Sequence, residues 1–163
     1  MTAEKIITTT QEIDIDVIEI TLLSVEEAME LDKNVRGIGD SWWLRSPGNR
    51  YYRAMFVDDG NIGVSGLCVD ISLGARPALQ ISDLESSNLR IGDRFVLADE
   101  QWIVISKDKA LCDRIIGKMH FRKYWEEPDA NDYEKSDVKI WLEKWAVEKG
   151  VIQEVNRDDV RVL

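Results

Sequence analysis

The sequence is poor in the residues from which metal sites are most often built. Its 163 residues include one histidine, His120, and two cysteines, Cys68 and Cys112. A structural zinc site takes about four Cys or His ligands, usually in closely spaced pairs. Free thiols in a reducing compartment explain the cysteines better than a disulfide, although one disulfide is compatible with the sequence. We therefore expect no bound metal and no cofactor.

Complete catalytic motifs are missing as well. A serine or cysteine hydrolase would have to use His120, and no nucleophile motif such as G-x-S-x-G occurs. Glycine-rich phosphate-binding motifs are also absent. Acidic pairs such as Asp58-Asp59 are expected by chance among 31 acidic residues and are interpreted as solvated turns. The sequence predicts a protein that is not an enzyme and has no catalytic residues, and a carboxylate-based enzyme ranks last among the alternatives.

Basic residues are outnumbered by 31 acidic to 21 basic side chains, which gives a formal net charge of −10. Nucleic acids and anionic membranes are bound by clustered Lys and Arg, so neither is an expected partner. The negative charge is compatible with a basic protein as the partner. No basic N-terminal segment precedes an apolar run, and no run reaches about 20 apolar residues. We expect a cytoplasmic protein, or one in the virion or host cytoplasm if a phage encodes it.

Short segments of alternating polar and apolar residues occupy much of the chain, and the sequence contains six tryptophans. Such alternation predicts strands, assigned to residues 13–22, 42–45, 51–57, 62–64, 67–71, 75–81, 91–97, 102–105 and 110–116. Asp59-Gly60 and the polar segment 98–101 are predicted hairpin turns. Pro77 places the strand 75–81 at a sheet edge or marks the start of a strand.

Two helices are predicted from capping signals. A short helix follows Ser24, where a capping box occurs. A longer helix runs from Ser136 to a stop at Gly150. Its apolar residues fall on one face at helical spacing: Val138, Trp141, Leu142 and Trp145. The segments 33–41 and 122–135 are predicted loops.

The length of 163 residues favours one domain or two very small ones. We expect a flexible N-terminus over residues 1–12 and a C-terminal tail over residues 153–163. Between them, residues 13–152 form a single domain with halves at 13–81 and 90–152.

Two motifs carry a resemblance to a known family. Trp42-Trp43-Leu44-Arg45-Ser46-Pro47-Gly48 is followed by an aromatic strand, Asp59-Gly60, and then Gly74-Ala75-Arg76-Pro77-Ala78-Leu79. This combination resembles an uncharacterised bacterial and phage domain family with the signature W-W-L-R-S-P-G, D-G and G-x-R-P-A-L. That family is similar to the variable ligand-binding proteins of diversity-generating retroelements and to formylglycine-generating-enzyme-type domains. The resemblance implies an α+β, C-type-lectin-like fold with short antiparallel strands and two helices.

The order of the two halves differs from that family. There, the I-G-D-x-F hairpin and the W-L helix precede the W-W-L-R-S-P segment, whereas here Trp42 precedes Ile91-Gly92-Asp93-Arg94-Phe95. The chain resembles a circular permutant of the domain, or the end of one copy joined to the start of another. Chain ends that lie close together make a permutation inexpensive.

The resemblance also implies which residues bind and which support the fold. The aromatic strand and its turns carry ligand contacts in such proteins, and Tyr and Arg are frequent binding hot spots. The predicted ligand-binding residues are Trp43, Asn49, Arg50, Tyr51, Tyr52, Arg53, Asp59 and Asn61, with Met55, Asp58, Gly60 and Ser65 beside them. The predicted structural residues are Trp42, Arg45, Arg76, Trp141 and Trp145. Trp42 and Trp43 should point to opposite faces of their strand.

The function expected from these features is non-enzymatic recognition of a protein or glycan. The alternative is an acidic, phage-type inhibitor that blocks a basic groove on a host defence or nucleic-acid-processing protein, which the net charge of −10 motivates. A homodimer is compatible with exposed edge strands and the high tryptophan content.

Overall fold

The protein is a mixed α+β structure with mostly antiparallel strands in the computed structural model, which describes residues 6–7, 16–82 and 89–152. The strands are β1 (Ile6–Ile7), β2 (Val17–Thr21), β3 (Trp42–Pro47), β4 (Arg53–Asp58), β5 (Asn61–Cys68), β6 (Ser72–Ala75), β7 (Ala78–Ile81), β8 (Arg94–Leu97), β9 (Glu100–Ser106), β10 (Lys109–Cys112) and β11 (Gly117–His120). The helices are α1 (Val25–Met29), α2 (Lys33–Arg36) and α3 (Asp137–Lys149), with a 3₁₀ turn at Tyr133–Lys135.

The strands form two sheets. The six-stranded sheet has the order β1-β8-β9-β10-β7-β2, and the five-stranded sheet has the order β11-β6-β3-β4-β5. The pairs β1–β8 and β3–β6 are parallel, and the other pairs are antiparallel. In the β3–β6 pair, Trp42 lies opposite Gly74, so the two signature motifs are neighbours in one sheet.

Each sheet is covered on both faces. Two core clusters include residues of α3, and a third includes residues of α1. Successive residues of β9 enter different clusters, with Trp102 among residues packed on α3 and Ile103 among residues packed on α1. Trp43 belongs to a cluster that includes residues of α3, and Trp42 belongs to the cluster that includes residues of α1. Both side chains are fully buried. The opposite-face prediction for this pair is confirmed, and neither ring reaches solvent because both faces are covered.

The chain crosses between the sheets at Arg76 and Pro77. The segment 75–81, predicted as one strand, ends β6 in one sheet and forms β7 in the other. Pro77 directly precedes β7, so the strand-start interpretation is confirmed. The edge interpretation is wrong, because β7 lies between β10 and β2.

The two predicted hairpins are confirmed. In the first turn, between β4 and β5, Asp59 and Gly60 have φ values of 48° and 87°. In the second, between β8 and β9, Ala98 and Asp99 have φ values of 54° and 62°. Two central residues with positive φ are typical of the tight turns that match strand twist. Local turn chemistry therefore sets the register of both strand pairs.

Several predicted boundaries change. The strand expected from residue 51 begins at Arg53, because Tyr51 and Tyr52 form a turn. The two short strands expected over 62–71 are one strand, β5. The strand expected over 110–116 is β10 and ends at Cys112.

The predicted helices both occur, and a third, α2, lies in the segment 33–41 that was expected to be a loop. Ser24 forms a complete capping box for α1, and Ser136 caps α3, which ends at Gly150. Ile6–Ile7 form β1 within the N-terminus that was expected to be flexible. The remaining residues of that N-terminus, strand residues 13–15 and the tail 153–163 lie outside the described residues.

A partly buried carboxylate joins α1 to both sheets. Glu27 accepts a hydrogen bond from Arg45 at 2.7 Å and forms an ion pair with Lys109 at 2.8 Å. Burial by itself would raise the pKa of Glu27, but hydrogen bonds from Lys109, the Ser24 backbone and Arg45 lower it to about 2. The ionised form is therefore the one that the fold stabilises.

Protonation of Glu27 should lower the stability of the protein in acid. The pKa of Glu27 is lowered from 4.5 to about 2 on folding, so its contribution is complete above pH 4.5 and is lost as the pH falls towards 2. We expect Glu27→Gln to destabilise the protein by on the order of 2 kcal/mol at neutral pH and to flatten the acid dependence. Urea unfolding from pH 7 to pH 2 measures this, with the exposed Glu26→Gln as the matched control. Parallel acid profiles for the wild type and Glu27→Gln would contradict the assignment.

Candidate functional site

Three aromatic rings meet at the surface where the β3–β4 turn approaches the segment 122–135. Tyr51 packs edge-on against Tyr52 with ring centroids 5.1 Å apart, and Tyr52 packs edge-on against Trp125 at 5.9 Å. Tyr51 is 45% exposed and Trp125 is 39% exposed. We call Tyr51, Tyr52 and Trp125 the aromatic patch. Edge-to-face contacts of this kind hold the rings in place while leaving apolar surface open to a ligand.

Positive charge lies beside the aromatic patch. The Arg53 guanidinium lies 5.7 Å from the centre of the Tyr52 ring, within the range of a cation–π contact. Arg50 is exposed on the same turn, and its guanidinium bonds only weakly to a neighbouring carbonyl, at 3.3 Å. Aromatic and arginine side chains together are the composition most enriched in binding hot spots.

The side-chain amide of Asn131 joins the two segments that carry the aromatic patch. Asn131 Nδ2 donates to the Arg50 carbonyl at 3.0 Å and to the Arg53 carbonyl at 3.1 Å. Asp129 stabilises the Asn131 segment from within by pairing with Arg122 and Lys135. The hydrogen bond from Lys135 is the main cause that lowers the pKa of Asp129. The patch is therefore built on a fixed backbone although it lies outside regular strands.

The structure brings only some of the predicted ligand-binding residues together. Asn49, Arg50, Tyr51, Tyr52 and Arg53 form one turn, and the Asn49 amide donates to the carbonyl of Ser65 at 3.0 Å. These residues and the aromatic patch make up the candidate site.

Asp59 and Asn61 lie away from that site, at the opposite end of β4. A strand of this length separates its ends by roughly 17–20 Å. Their hairpin instead contacts α2, where Arg36 Nε donates to the Gly60 carbonyl at 2.6 Å. The grouping of Asp59 and Asn61 with the tyrosines is therefore corrected.

Trp43 is also corrected as a ligand contact. Its side chain has no exposed surface, and its Nε1–H donates to the Met119 carbonyl at 3.0 Å. Phe121 packs against the ring edge-on at 5.6 Å. Met55, expected beside the site, packs against the core cluster that contains α1.

The residues predicted to be structural contact core side chains or the groups of neighbouring elements. Arg45 donates to the Leu22 carbonyl and to Glu27, both at 2.7 Å. Trp141 packs near Gly117, and Trp145 packs on the cluster between α3 and the six-stranded sheet.

Arg76 is only 1% exposed and donates to the carbonyls of Cys112 and Val35, each at 2.7 Å. Its guanidinium also lies 5.0 Å from the centre of the Trp42 ring. Burial lowers the pKa of Arg76 to about 10, so it stays charged at neutral pH.

Sequence reasoning missed Trp125 and Asn131. Both lie in the segment 122–135, which was interpreted as a polar loop. The available signal was the adjacent aromatic pair Tyr124-Trp125 within a charged stretch, since large aromatic side chains in a surface loop are often used for binding.

The residues considered for chemistry are held in structural contacts. His120 Nε2 lies 3.0 Å from Asp137 Oδ2, at the start of α3. Burial raises the pKa of the Cys112 thiol to about 11 and also raises that of Cys68, so neither is a ready nucleophile. Over the ranges 16–82 and 89–152, no three His, Cys, Asp or Glu side chains cluster so as to hold a metal ion.

Comparisons with models of known protein families, with curated proteins and with solved structures find no match to this chain. Within the described part of the chain, no helix is both long and apolar enough to cross a membrane. The candidate site is therefore interpreted from its own geometry.

Proposed function

We propose that this protein is a non-enzymatic binding module that recognises a protein or glycan through the aromatic patch. The observation that carries the proposal is the meeting of Tyr51, Tyr52 and Trp125 at the surface, beside Arg50 and Arg53. Rings that are already fixed lose little conformational entropy on binding, so their apolar area contributes to affinity.

We further propose that the fold is C-type-lectin-like and permuted, in the family that the motifs resemble. The pairing of Trp42 with Gly74 supports a common structural role for the two signature segments. Both ends of the described domain pack on one core cluster, with Val17 and Ile20 from the first strand of the domain and Val151 and Ile152 from the end. Such proximity is what a circular permutation requires.

The proposal predicts a separable effect of mutations in the aromatic patch. Tyr52→Ala, Arg53→Ala and Trp125→Ala should each weaken partner binding by at least about tenfold, because truncation of a hot-spot residue removes about 2 kcal/mol. Their unfolding midpoints should stay close to the wild type. A pull-down from host lysate with mass spectrometry identifies the partner, and titration calorimetry compares the variants.

The matched control for these variants is Ile91→Ala, which truncates a side chain that is 66% exposed in the turn before β8. It should bind like the wild type. Normal binding by all three patch variants to an identified partner would show that the partner uses another surface.

The second candidate is an acidic inhibitor of a basic groove, supported by the net charge of −10. Its binding should weaken steeply as salt rises, because contacts between exposed charges are screened. Running the pull-down at low and high salt separates the candidates, since recognition by apolar rings is much less sensitive to salt.

A further inference from the structure

A polar groove lies beside the aromatic patch. Its volume is about 570 Å³, within the range of about 300–1,000 Å³ typical of small-ligand sites. Its lining includes Ser24, Glu26, Arg45, Ser46, Asn131 and Tyr133. They come from three parts of the chain: the start of α1, the end of β3 and the segment 122–135.

Groups that can both donate and accept hydrogen bonds line this groove. Ser46 Oγ accepts from the Val25 amide at 2.9 Å and donates to no acceptor among the described residues. Asn131 uses its Nδ2 for two carbonyls, which leaves its Oδ1 as an acceptor. Such a set suits hydroxyl groups, since each hydroxyl both donates and accepts.

Tyr133 also lines the groove but is almost entirely buried, with 6% of its surface exposed. Its hydroxyl lies in the interior beside Thr21 and Leu22, neither of which lines the groove. The hydroxyl is therefore not among the groups that a ligand in the groove would contact.

The charges of the groove leave no excess cation for an anionic ligand. Arg45 is paired with Glu27, and Glu134, another wall residue, carries a partner in Lys139 at 2.9 Å. Glu26 is exposed at the rim. A sulfated or carboxylated ligand would meet repulsion there without a compensating partner.

The groove and the aromatic patch share a boundary residue. Asn131 lines the groove, and its amide is bonded to the two carbonyls of the turn that carries Tyr51 and Tyr52. An extended ligand could therefore contact polar walls at one end and apolar rings at the other. Arg50 and Arg53 of the candidate site lie outside the groove lining. Within the groove, a single cation that is already paired, the hydroxyl-compatible Ser46 and Asn131, and the adjacent rings describe a site for a neutral sugar chain.

We infer that the groove, together with the aromatic patch, binds an uncharged glycan. The inference rests on the proposed binding function and narrows its ligand from protein or glycan to a neutral oligosaccharide. Sugar rings stack on Tyr51, Tyr52 or Trp125, and hydroxyl groups bond to Ser46 and Asn131.

The test titrates the full chain with neutral hexasaccharides of β-linked glucose, β-linked N-acetylglucosamine and α-linked mannose, by calorimetry and tryptophan fluorescence. A heparin-derived hexasaccharide is the anionic control. Glu26→Trp and Glu134→Trp each place an indole over the groove from an exposed position. Asn34→Trp, exposed on α2 and outside the groove lining, is the matched control.

At least one neutral hexasaccharide should bind, and both groove-blocking variants and Tyr52→Ala should weaken it at least about tenfold, while Asn34→Trp binds normally. Tighter binding of the heparin-derived probe, or unchanged binding by both groove-blocking variants, overturns the inference. So does failure of every neutral probe to bind the wild type. If no neutral probe binds, but a protein partner binds the wild type and not Trp125→Ala, the proposed binding function is retained and only the glycan specificity is wrong.

Discussion

Replacing Arg76 with methionine is expected to lower the free energy of unfolding by about 3 kcal/mol or more. Methionine fills much of the same volume, so the loss comes from polar groups. The carbonyls of Cys112 and Val35 would each lose a charged donor at 2.7 Å in a buried site. Each buried unsatisfied group costs about 1–3 kcal/mol, and the cation–π contact with Trp42 is lost as well.

Urea unfolding measures the Arg76 effect directly. Arg76→Lys should fall between the wild type and Arg76→Met, because an ammonium keeps the charge but lacks the planar arrangement of donors. Arg90→Met removes an exposed arginine and serves as the matched control. A loss below about 1 kcal/mol for Arg76→Met would show that the guanidinium contributes little to joining the sheets.

The second large effect is a contrast between two tryptophans, Trp43 in the core and Trp125 at the surface, when each is replaced by alanine. Trp43→Ala should destabilise the protein by about 3–5 kcal/mol, because it empties a fully buried site and leaves the Met119 carbonyl without its donor. Trp125→Ala should change stability by less than about 0.5 kcal/mol, since that ring is at the surface. In a binding assay Trp125→Ala should be the defective variant and any folded Trp43 variant should be normal.

Trp43→Phe separates packing from hydrogen bonding at the buried position. Phenylalanine keeps an aromatic ring against Phe121 but cannot donate to Met119, so an intermediate loss of stability is expected. Chemical denaturation followed by circular dichroism compares all the variants. Equal losses for Trp43→Ala and Trp125→Ala would contradict the contrast between core and surface.

Features governed by local chemistry could be predicted from the sequence. The Asp59-Gly60 turn and the caps at Ser24 and Ser136 depend on residues close together in the chain, and the structure contains all three. The split of the segment 75–81 between two sheets could not be predicted in this way. It depends on which strands flank β6 and β7, and those strands are distant in sequence.

The candidate site shows the same division. Tyr51 and Tyr52 were recognisable because they follow a distinctive motif, but Trp125 joins them only through folding, across more than seventy intervening residues. Trp43 was predicted as a ligand contact, and alternation along the strand places it on the face opposite to Trp42. Alternation does not show whether that face is covered, and here both faces are covered.

The attachment of Asn131 to two main-chain carbonyls also bears on how this surface can change during evolution. Because the amide bonds to the backbone at Arg50 and Arg53, the geometry of the turn does not depend on which side chains those positions carry. Substitutions there should leave the shape of the loop unchanged, so under the proposed function they would change the ligand and not the fold. We therefore expect the fold to tolerate substitutions at Arg50 and Arg53 as long as Asn131 is kept.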